Sequence, residues 1–229
     1  MRYDKILFDL DNTIIDFDDA ERNGIRLTFE EFSVPFKAEY LHSFHEINDN
    51  LWKMLEKGLV ERATLVKIRF EKLFELYNIK GVDPLEFNAK YLVNLSKGRK
   101  LIDGAADVIK EVFTLGAKCY FITNGAVQVQ KNRLIGQPFI DYISGICISE
   151  NVGAKKPDKA FFDKAEELFN VKFDSNTIVV GDSLSSDIQG GINAGLDTCY
   201  VNRKKEANTT SITPTYEIFD IKDLIQIVK

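Results

Sequence analysis

Acidic side chains follow two short apolar segments of this sequence. Asp9 and Asp11 come directly after Ile6-Leu7-Phe8, and Asp182 follows the run from Thr177 to Val180. Both runs are too short for helices and end in turn-forming residues, so each is predicted to be a buried strand that runs into a loop. The spacing of Asp9 and Asp11 lets both carboxylates approach one site before the chain turns.

Groups that could bind an anion accompany these carboxylates. Thr123, Asn124 and Gly125 end another predicted strand and supply a hydroxyl, an amide and a flexible backbone. Lys156 stands before Pro157, where a helix is predicted to begin, and Ser183 and Asp187 follow Asp182 in a short loop. Taken singly, each motif has an ordinary explanation as a turn, a surface charge or a helix cap. Their joint occurrence at strand ends argues against coincidence.

Several carboxylates near one lysine indicate phosphoryl transfer. Carboxylates in one cleft raise one another's pKa values, so the arrangement is costly without a cation. Oxygen ligands suit Mg²⁺, which is typically held by one or two carboxylates and a phosphate. An aspartate can then attack phosphorus, while a second carboxylic acid protonates the leaving oxygen and later activates water. The predicted reaction passes through an aspartyl-phosphate.

The surrounding elements predict an α/β fold. From residue 101 onward, nearly all-apolar strands alternate with helices, a pattern typical of a parallel sheet covered on both faces. Residues 16–97 have no convincing strand, and Val66, Phe70, Leu73 and Tyr77 fall on one helical face. We therefore predict a three-layer Rossmann-like core from residues 1–15 and 98–229, with a helical domain of residues 16–97 inserted after the first strand. Ligands bind beyond the carboxyl ends of such strands.

Composition excludes several other classes of protein. The 229 residues include 30 Lys+Arg and 35 Asp+Glu, a net charge of −5 that disfavours a nucleic-acid polymer or an anionic membrane surface as partner. A hydrophobic fraction of 45% is ample for a large core. Three widely spaced cysteines suggest neither zinc nor disulfides, and no signal peptide or membrane span is apparent. We expect a cytoplasmic protein.

At these motifs the chain resembles the haloacid dehalogenase (HAD) superfamily, and the helical insert is similar to the C1 cap of its phosphatases. The resemblance implies a Mg²⁺-dependent phosphomonoester hydrolase in which Asp9 is the nucleophile and Asp11 the general acid and base. It also implies that Thr123, with Asn124 and Gly125, and Lys156 bind phosphate, and that Asp187, with Ser183, supports the site. The implied metal ligands are Asp9, the Asp11 carbonyl and Asp182. The four signatures are Phe8-Asp9-Leu10-Asp11-Asn12-Thr13, Ile122-Thr123-Asn124-Gly125, Lys156-Pro157 and Gly181-Asp182-Ser183 with Asp187.

A narrower resemblance concerns the substrate, which we expect to be a small phosphate ester. The stretches around Asn48, Trp52 and Arg69, together with Val152-Gly153 and Thr213-Pro214-Thr215-Tyr216, resemble the house-cleaning pyrimidine 5′-nucleotidases. Asn48, Trp52 and Arg69 are therefore candidates for contacts beyond the phosphate; Trp52 could equally be a packed helix residue.

Other functions of the same motifs stay open. A sugar-phosphate or phosphoglycolate phosphatase, or a phosphomutase, would share the core signatures and the phosphoenzyme. A non-catalytic binding module is the alternative from another class. The presence of Asp9, Asp11, Lys156 and Asp182 together argues against it, since a site without turnover has no need of all four.

Overall fold

The structure, a computed structural model, describes residues 1–229 and contains one six-stranded sheet. Every neighbouring pair of strands is parallel, as the strand and helix alternation predicts. The spatial order of the strands is β3-β2-β1-β4-β5-β6. Their bounds are β1 Lys5–Phe8, β2 Lys118–Thr123, β3 Ile143–Ile148, β4 Thr177–Gly181, β5 Asp197–Val201 and β6 Tyr216–Ile218.

Alternate residues of each central strand pack on opposite faces of the sheet. In β1, Ile6 and Phe8 belong to one buried apolar cluster, while Leu7 belongs to another. In β4, Val180 belongs to the first cluster and Val179 to the second. Since successive side chains of a strand point to opposite faces, helices must cover both sides of this sheet. The fold is the predicted three-layer α/β arrangement.

The helices that pack against the sheet cover it in two layers. The first cluster includes Ala105 and Val108 of one helix and Leu224 of another, whereas the second includes Phe161 and Phe162. The α-helical bounds are α5 Ala105–Thr114, α6 Val127–Leu134, α7 Ser149–Val152, α8 Lys159–Phe169, α9 Gln189–Asn193 and α10 Leu224–Val228. Short 3₁₀ turns occupy Ile140–Tyr142 and Ile221–Asp223, and a π-helical turn occupies Leu184–Ile188.

The second compact unit is all-helical. It comprises Phe17–Arg99, while Met1–Asp16 and Lys100–Lys229 form the first unit. The first boundary lies one residue after the predicted one at 15/16, and the second lies two residues after the predicted one at 97/98. Phe70 and Leu73 are fully buried on the predicted helical face, and Tyr77 follows the helix that carries them. The helices are α1 Phe17–Glu31, α2 Ala38–Glu56, α3 Arg62–Leu76 and α4 Pro84–Leu95.

The strand order creates a switch point between β1 and β4. From β1 the chain adds β2 and β3 on one side and then returns to add β4, β5 and β6 on the other. The loops after β1 and β4 therefore leave in different directions and open a crevice at the carboxyl edge of the sheet, where ligands of such folds bind. Asp9 and Asp182 directly follow these two strands.

Two further expectations concern the chemistry of the cysteines and the presence of a membrane span. Cys119, Cys147 and Cys199 are all free and buried, so they form neither a disulfide nor a metal cluster. Burial raises the pKa of Cys119 to about 12, so its thiol stays protonated at neutral pH. No helix is both long enough and apolar enough to span a bilayer.

Candidate active site

Three carboxylates converge at the switch point. One oxygen from each of Asp9, Asp182 and Asp187 lies within 4.8 Å of the other two. The Asp9 amide donates to the Val180 carbonyl at 2.9 Å, so the backbone pairing of β1 with β4 continues to the reactive position. This pairing fixes Asp9 on the rigid sheet rather than on a mobile loop, as a precise site requires.

Lys156 is the cation of this cluster. Its ammonium donates to Asp9 Oδ1 at 2.6 Å, to Asp187 Oδ1 at 2.6 Å and to the Ile122 carbonyl at 3.0 Å. These bonds use all three ammonium hydrogens. Only 1% of the Lys156 side chain is exposed, so solvent screens the two ion pairs very little.

Burial and mutual repulsion dominate the electrostatics of the acids. Burial, with smaller contributions from Asp187 and Asp11, raises the pKa of Asp9 to about 8 although Lys156 opposes the shift. Burial also raises the pKa of Asp182 well above its usual range, and Asp9 and Asp187 raise it further. For Lys156, burial alone lowers the pKa, but the neighbouring carboxylates outweigh burial and hold the pKa above its usual value. Burial thus disfavours the ionised forms of both Asp9 and Asp182.

Asp187 reaches Lys156 because of local backbone features after β4. A Cβ on Gly181 would lie 2.3 Å from the Asp187 carboxylate, so this position has no room for a side chain. The Ser183 amide donates to Asp187 Oδ2 at 3.1 Å, and the Ser183 hydroxyl accepts from the Ser186 amide at 3.2 Å. Asp187 itself lies in the π-helical turn Leu184–Ile188, a form that is frequent at functional sites.

Asn124 joins the loop after β2 to the backbone of Lys156. Its amide group donates to the Lys156 carbonyl at 2.9 Å, and its Oδ1 accepts from the Lys156 amide at 2.9 Å. The neighbouring Thr123 hydroxyl is buried and accepts from the Gly125 amide at 3.0 Å. The structure thus brings Asn124 and Lys156 together, although they are 32 residues apart.

Two side chains that the sequence motifs did not single out hold Asp11. Arg133 Nη1 donates to Asp11 Oδ1, and Gln130 Nε2 donates to Asp11 Oδ2 at 2.6 Å and to the Thr123 hydroxyl at 3.1 Å. Both residues are fully buried on α6. Their three-residue spacing places them on one helical face, but this spacing alone does not distinguish them from other polar residues of the helix.

The candidate substrate residues of the helical unit divide into two groups. Asn48 and Arg69 are buried and joined by a hydrogen bond of 3.2 Å from Arg69 Nη1 to Asn48 Oδ1. The Asn48 amide donates to the buried Glu21 at 3.1 Å. Trp52 is not part of this network. It is half-buried against an apolar cluster that includes Leu51, and the Arg62 guanidinium lies 5.3 Å from its ring centroid. Trp52 therefore has the packed environment that was its alternative explanation.

The carboxylate cluster suits a hard divalent cation. All its side-chain donors are oxygens, the type that Mg²⁺ prefers. Burial is the main cause of the raised pKa values of Asp9 and Asp182, so a bound cation would favour their ionised forms. The Asp11 side chain is engaged by Arg133 and Gln130, which leaves its backbone carbonyl as the group it could offer.

Comparison with known proteins extends this chemical description. The strand order and the acidic crevice place the chain among doubly wound α/β proteins. A family model of haloacid dehalogenase-like hydrolases matches residues 3–195. The chain belongs to this hydrolase family, as the sequence motifs predicted.

Three relatives match nearly the whole chain. Bacillus subtilis YfnB is 36% identical over 99% of this chain and 96% of its own length. Its magnesium-bound crystal structure has a TM-score of 0.93, with 100% of both chains covered. The pyrimidine 5′-nucleotidase PynA of Streptococcus pneumoniae is 33% identical, covering 98% of this chain and 94% of its own. The pyrimidine 5′-nucleotidase YjjG of Escherichia coli is also 33% identical, covering 100% and 99%.

Proposed function

We propose that this protein is a Mg²⁺-dependent phosphomonoester hydrolase that acts on pyrimidine nucleoside 5′-monophosphates through an aspartyl-phosphate. The observation that carries the proposal is the buried Asp9 at the switch point of the sheet, which accepts from Lys156 and has an oxygen within 4.8 Å of one of Asp182. Two pyrimidine 5′-nucleotidases among the relatives support the substrate class.

In the first step, an Asp9 oxygen attacks the substrate phosphorus. The new Asp9 O–P bond forms as the bond from phosphorus to the 5′-oxygen breaks, and Asp11 gives its proton to the departing oxygen. Lys156 neutralises part of the phosphoryl charge, and Thr123 supplies a hydroxyl donor to a phosphate oxygen. The nucleoside leaves as an alcohol.

In the second step, water attacks the phosphorus of the aspartyl-phosphate. The bond between water oxygen and phosphorus forms, the Asp9 O–P bond breaks, and Asp11 accepts the proton from water. Inorganic phosphate leaves, and Asp9 and Asp11 regain their starting states. Asp187 and Asn124 keep Lys156 in place through both steps, the first by its ion pair and the second by its bonds to the backbone.

Asp9, Asp182 and the Asp11 carbonyl are the groups that would hold Mg²⁺. A bound Mg²⁺ supplies positive charge that stabilises the phosphoryl oxygens. Burial raises the pKa values of Asp9 and Asp182, so a cation bound beside them would favour the ionised forms that the proposed reaction uses.

The helical unit Phe17–Arg99 is proposed to act as the substrate-selecting cap. It carries a buried polar network in which Asn48 connects Glu21 to Arg69. Buried polar groups of this kind can discriminate strongly between substrates when they bind substrate polar groups.

A substrate screen tests the proposed function. We expect kcat/KM for uridine or deoxyuridine 5′-monophosphate to exceed that for purine nucleotides and sugar phosphates by at least about tenfold, a ratio within what pocket contacts supply. Phosphate release measured with and without Mg²⁺ provides the assay, and EDTA should abolish the activity. Preference for a sugar phosphate would overturn the nucleotide assignment, and transfer to a phosphosugar instead of water would indicate a mutase.

The effect of Mg²⁺ on thermal stability should increase with pH. Asp9 keeps its proton up to about pH 8 in the folded protein but loses it near 3.8 when unfolded, so this group lowers stability as pH rises between these values. Mg²⁺ must displace that proton to bind a carboxylate. The Mg²⁺-induced rise in Tm is therefore expected to be larger at pH 8 than at pH 5.5, as measured by differential scanning calorimetry.

Asp182→Asn is the matched variant for this measurement. It removes a buried acid whose pKa is raised, so in EDTA the variant should be at least as stable as the parent at pH 8. It also removes a proposed ligand, so the shift produced by Mg²⁺ should largely disappear. A variant that kept the full shift would exclude Asp182 from the metal site.

A further inference from the structure

The carboxylate of Asp11 is fixed from both sides by α6. Arg133 Nη1 donates to one oxygen, and Gln130 Nε2 donates to the other at 2.6 Å. The Arg133 side chain has no exposed surface, whereas 28% of the Asp11 side chain is exposed. Each carboxylate oxygen accepts from a different residue. Rotation of the carboxylate therefore breaks the charge-assisted bond to Arg133, the buried bond to Gln130, or both.

The Gln130 amide is itself fixed in one orientation. Its Oε1 lies 3.4 Å from Arg133 Nη1, and an arginine can only donate. The amide NH₂ group must then face Asp11 and the Thr123 hydroxyl, which accepts from it at 3.1 Å. A Cβ on Gly125 would lie 2.2 Å from this amide nitrogen, so the glycine leaves the space that the amide fills. Gln130 thus connects the proposed phosphate-binding hydroxyl to the proposed acid and base.

We propose that Gln130 and Arg133 are positioning residues that direct Asp11 toward the leaving oxygen of the substrate. The inference rests on the proposed function, in which Asp11 protonates that oxygen and then accepts a proton from water. Proton transfer requires the carboxyl group to lie within hydrogen-bond reach of the reacting oxygen. The hydrogen bonds from Gln130 and Arg133, both on α6, set the position of the Asp11 carboxyl group. Gln130 also bonds to Thr123, so it sets that position relative to the Thr123 hydroxyl.

A purely structural ion pair makes a different prediction from a positioning pair. If Arg133 only stabilises the core, its loss affects all substrates alike. If it positions Asp11, its loss affects substrates whose leaving group needs a proton and spares those whose leaving group does not. A nucleoside alkoxide needs the proton, whereas a nitrophenolate leaves without it. The ratio of kcat/KM for the two kinds of substrate therefore separates the explanations.

The experiment compares Arg133→Met and Gln130→Met with the parent enzyme on uridine 5′-monophosphate and 4-nitrophenyl phosphate. General acid catalysis contributes about 10²–10⁴-fold, and a misplaced acid loses part of it. We expect kcat/KM for the nucleotide to fall about 10- to 100-fold, and that for the nitrophenyl ester to fall less than about threefold. Arg133→Lys, which keeps the charge, should recover part of the loss.

Two controls make the test specific. Lys131→Met removes the same charge from an exposed position of α6 and should leave both substrates unaffected. In an Asp11→Asn background, Arg133→Met should add little further loss, because the two residues act through one step. Additive losses, or equal losses for both substrates in Arg133→Met and Gln130→Met, would overturn the positioning role. If Asp11→Asn itself shows no leaving-group dependence, the acid and base assignment in the proposed function fails instead.

Discussion

Asp9→Asn is expected to abolish turnover while leaving the fold intact. The amide of asparagine is a poor nucleophile, so no acyl phosphate can form, and loss of a covalent nucleophile costs on the order of 10⁴-fold or more in kcat. Folding should not suffer, because the substitution removes a buried acid whose ionised form is unfavourable. Lys156 keeps its ion pair with Asp187 and its bond to the Ile122 carbonyl.

The measurement combines steady-state kinetics with trapping of the phosphoenzyme. Acid quenching of the parent enzyme with radiolabelled substrate should leave phosphate on the protein, and Asp9→Asn should leave none. Asp4→Asn is the matched control, because Asp4 is an exposed acid immediately before β1. Asp9→Ala repeats the test with a residue that cannot revert to aspartate by deamidation. Near-parental activity in both Asp9 variants is the outcome that would reject a covalent mechanism.

Local sequence predicted most of the core unit because its strands are short, apolar and bounded by turn formers. The strand predicted to end near Thr123 is β2, and the end of β1 at Phe8 places Asp9 at the edge of the sheet. The parallel order then brings the strand ends together without further information. This is why residues as distant in sequence as Asp9 and Asp182 could be predicted to meet.

Side-chain partners outside the motifs could not be predicted in the same way. Gln130 and Arg133 look like ordinary polar residues of a short helix, and only the tertiary fold shows that both are buried against Asp11. The same holds for Glu21, whose connection to Arg69 through Asn48 depends on how three helices pack. The π-helical turn that carries Asp187 has only 5 residues, which is too short for a hydrophobic period to identify it. Propensity describes one segment at a time, whereas these contacts depend on the packing of several.

Lys156→Met is expected to impair both catalysis and stability, and the two effects can be separated. The substitution leaves Asp9 and Asp187 buried without their shared cation. Removing one partner of a buried ion pair costs about 3–5 kcal/mol of the free energy of unfolding. Loss of the cation that neutralises part of the phosphoryl charge costs about 10²–10³-fold in kcat. Urea unfolding and phosphate-release kinetics measure the two quantities independently.

The pH dependence and a double variant identify the cause of each loss. Without Lys156 the buried carboxylates are relieved only by protonation, so the destabilisation should be larger at pH 8 than at pH 5.5. Adding Asp187→Asn removes one of the two uncompensated charges and should restore part of the stability at pH 8. It should not restore activity, because the phosphoryl group still lacks its ammonium partner. If the double variant recovered both stability and activity, the role of Lys156 would be to stabilise the fold. Removing Asp187 cannot supply the positive charge that the proposed reaction needs beside the phosphoryl group.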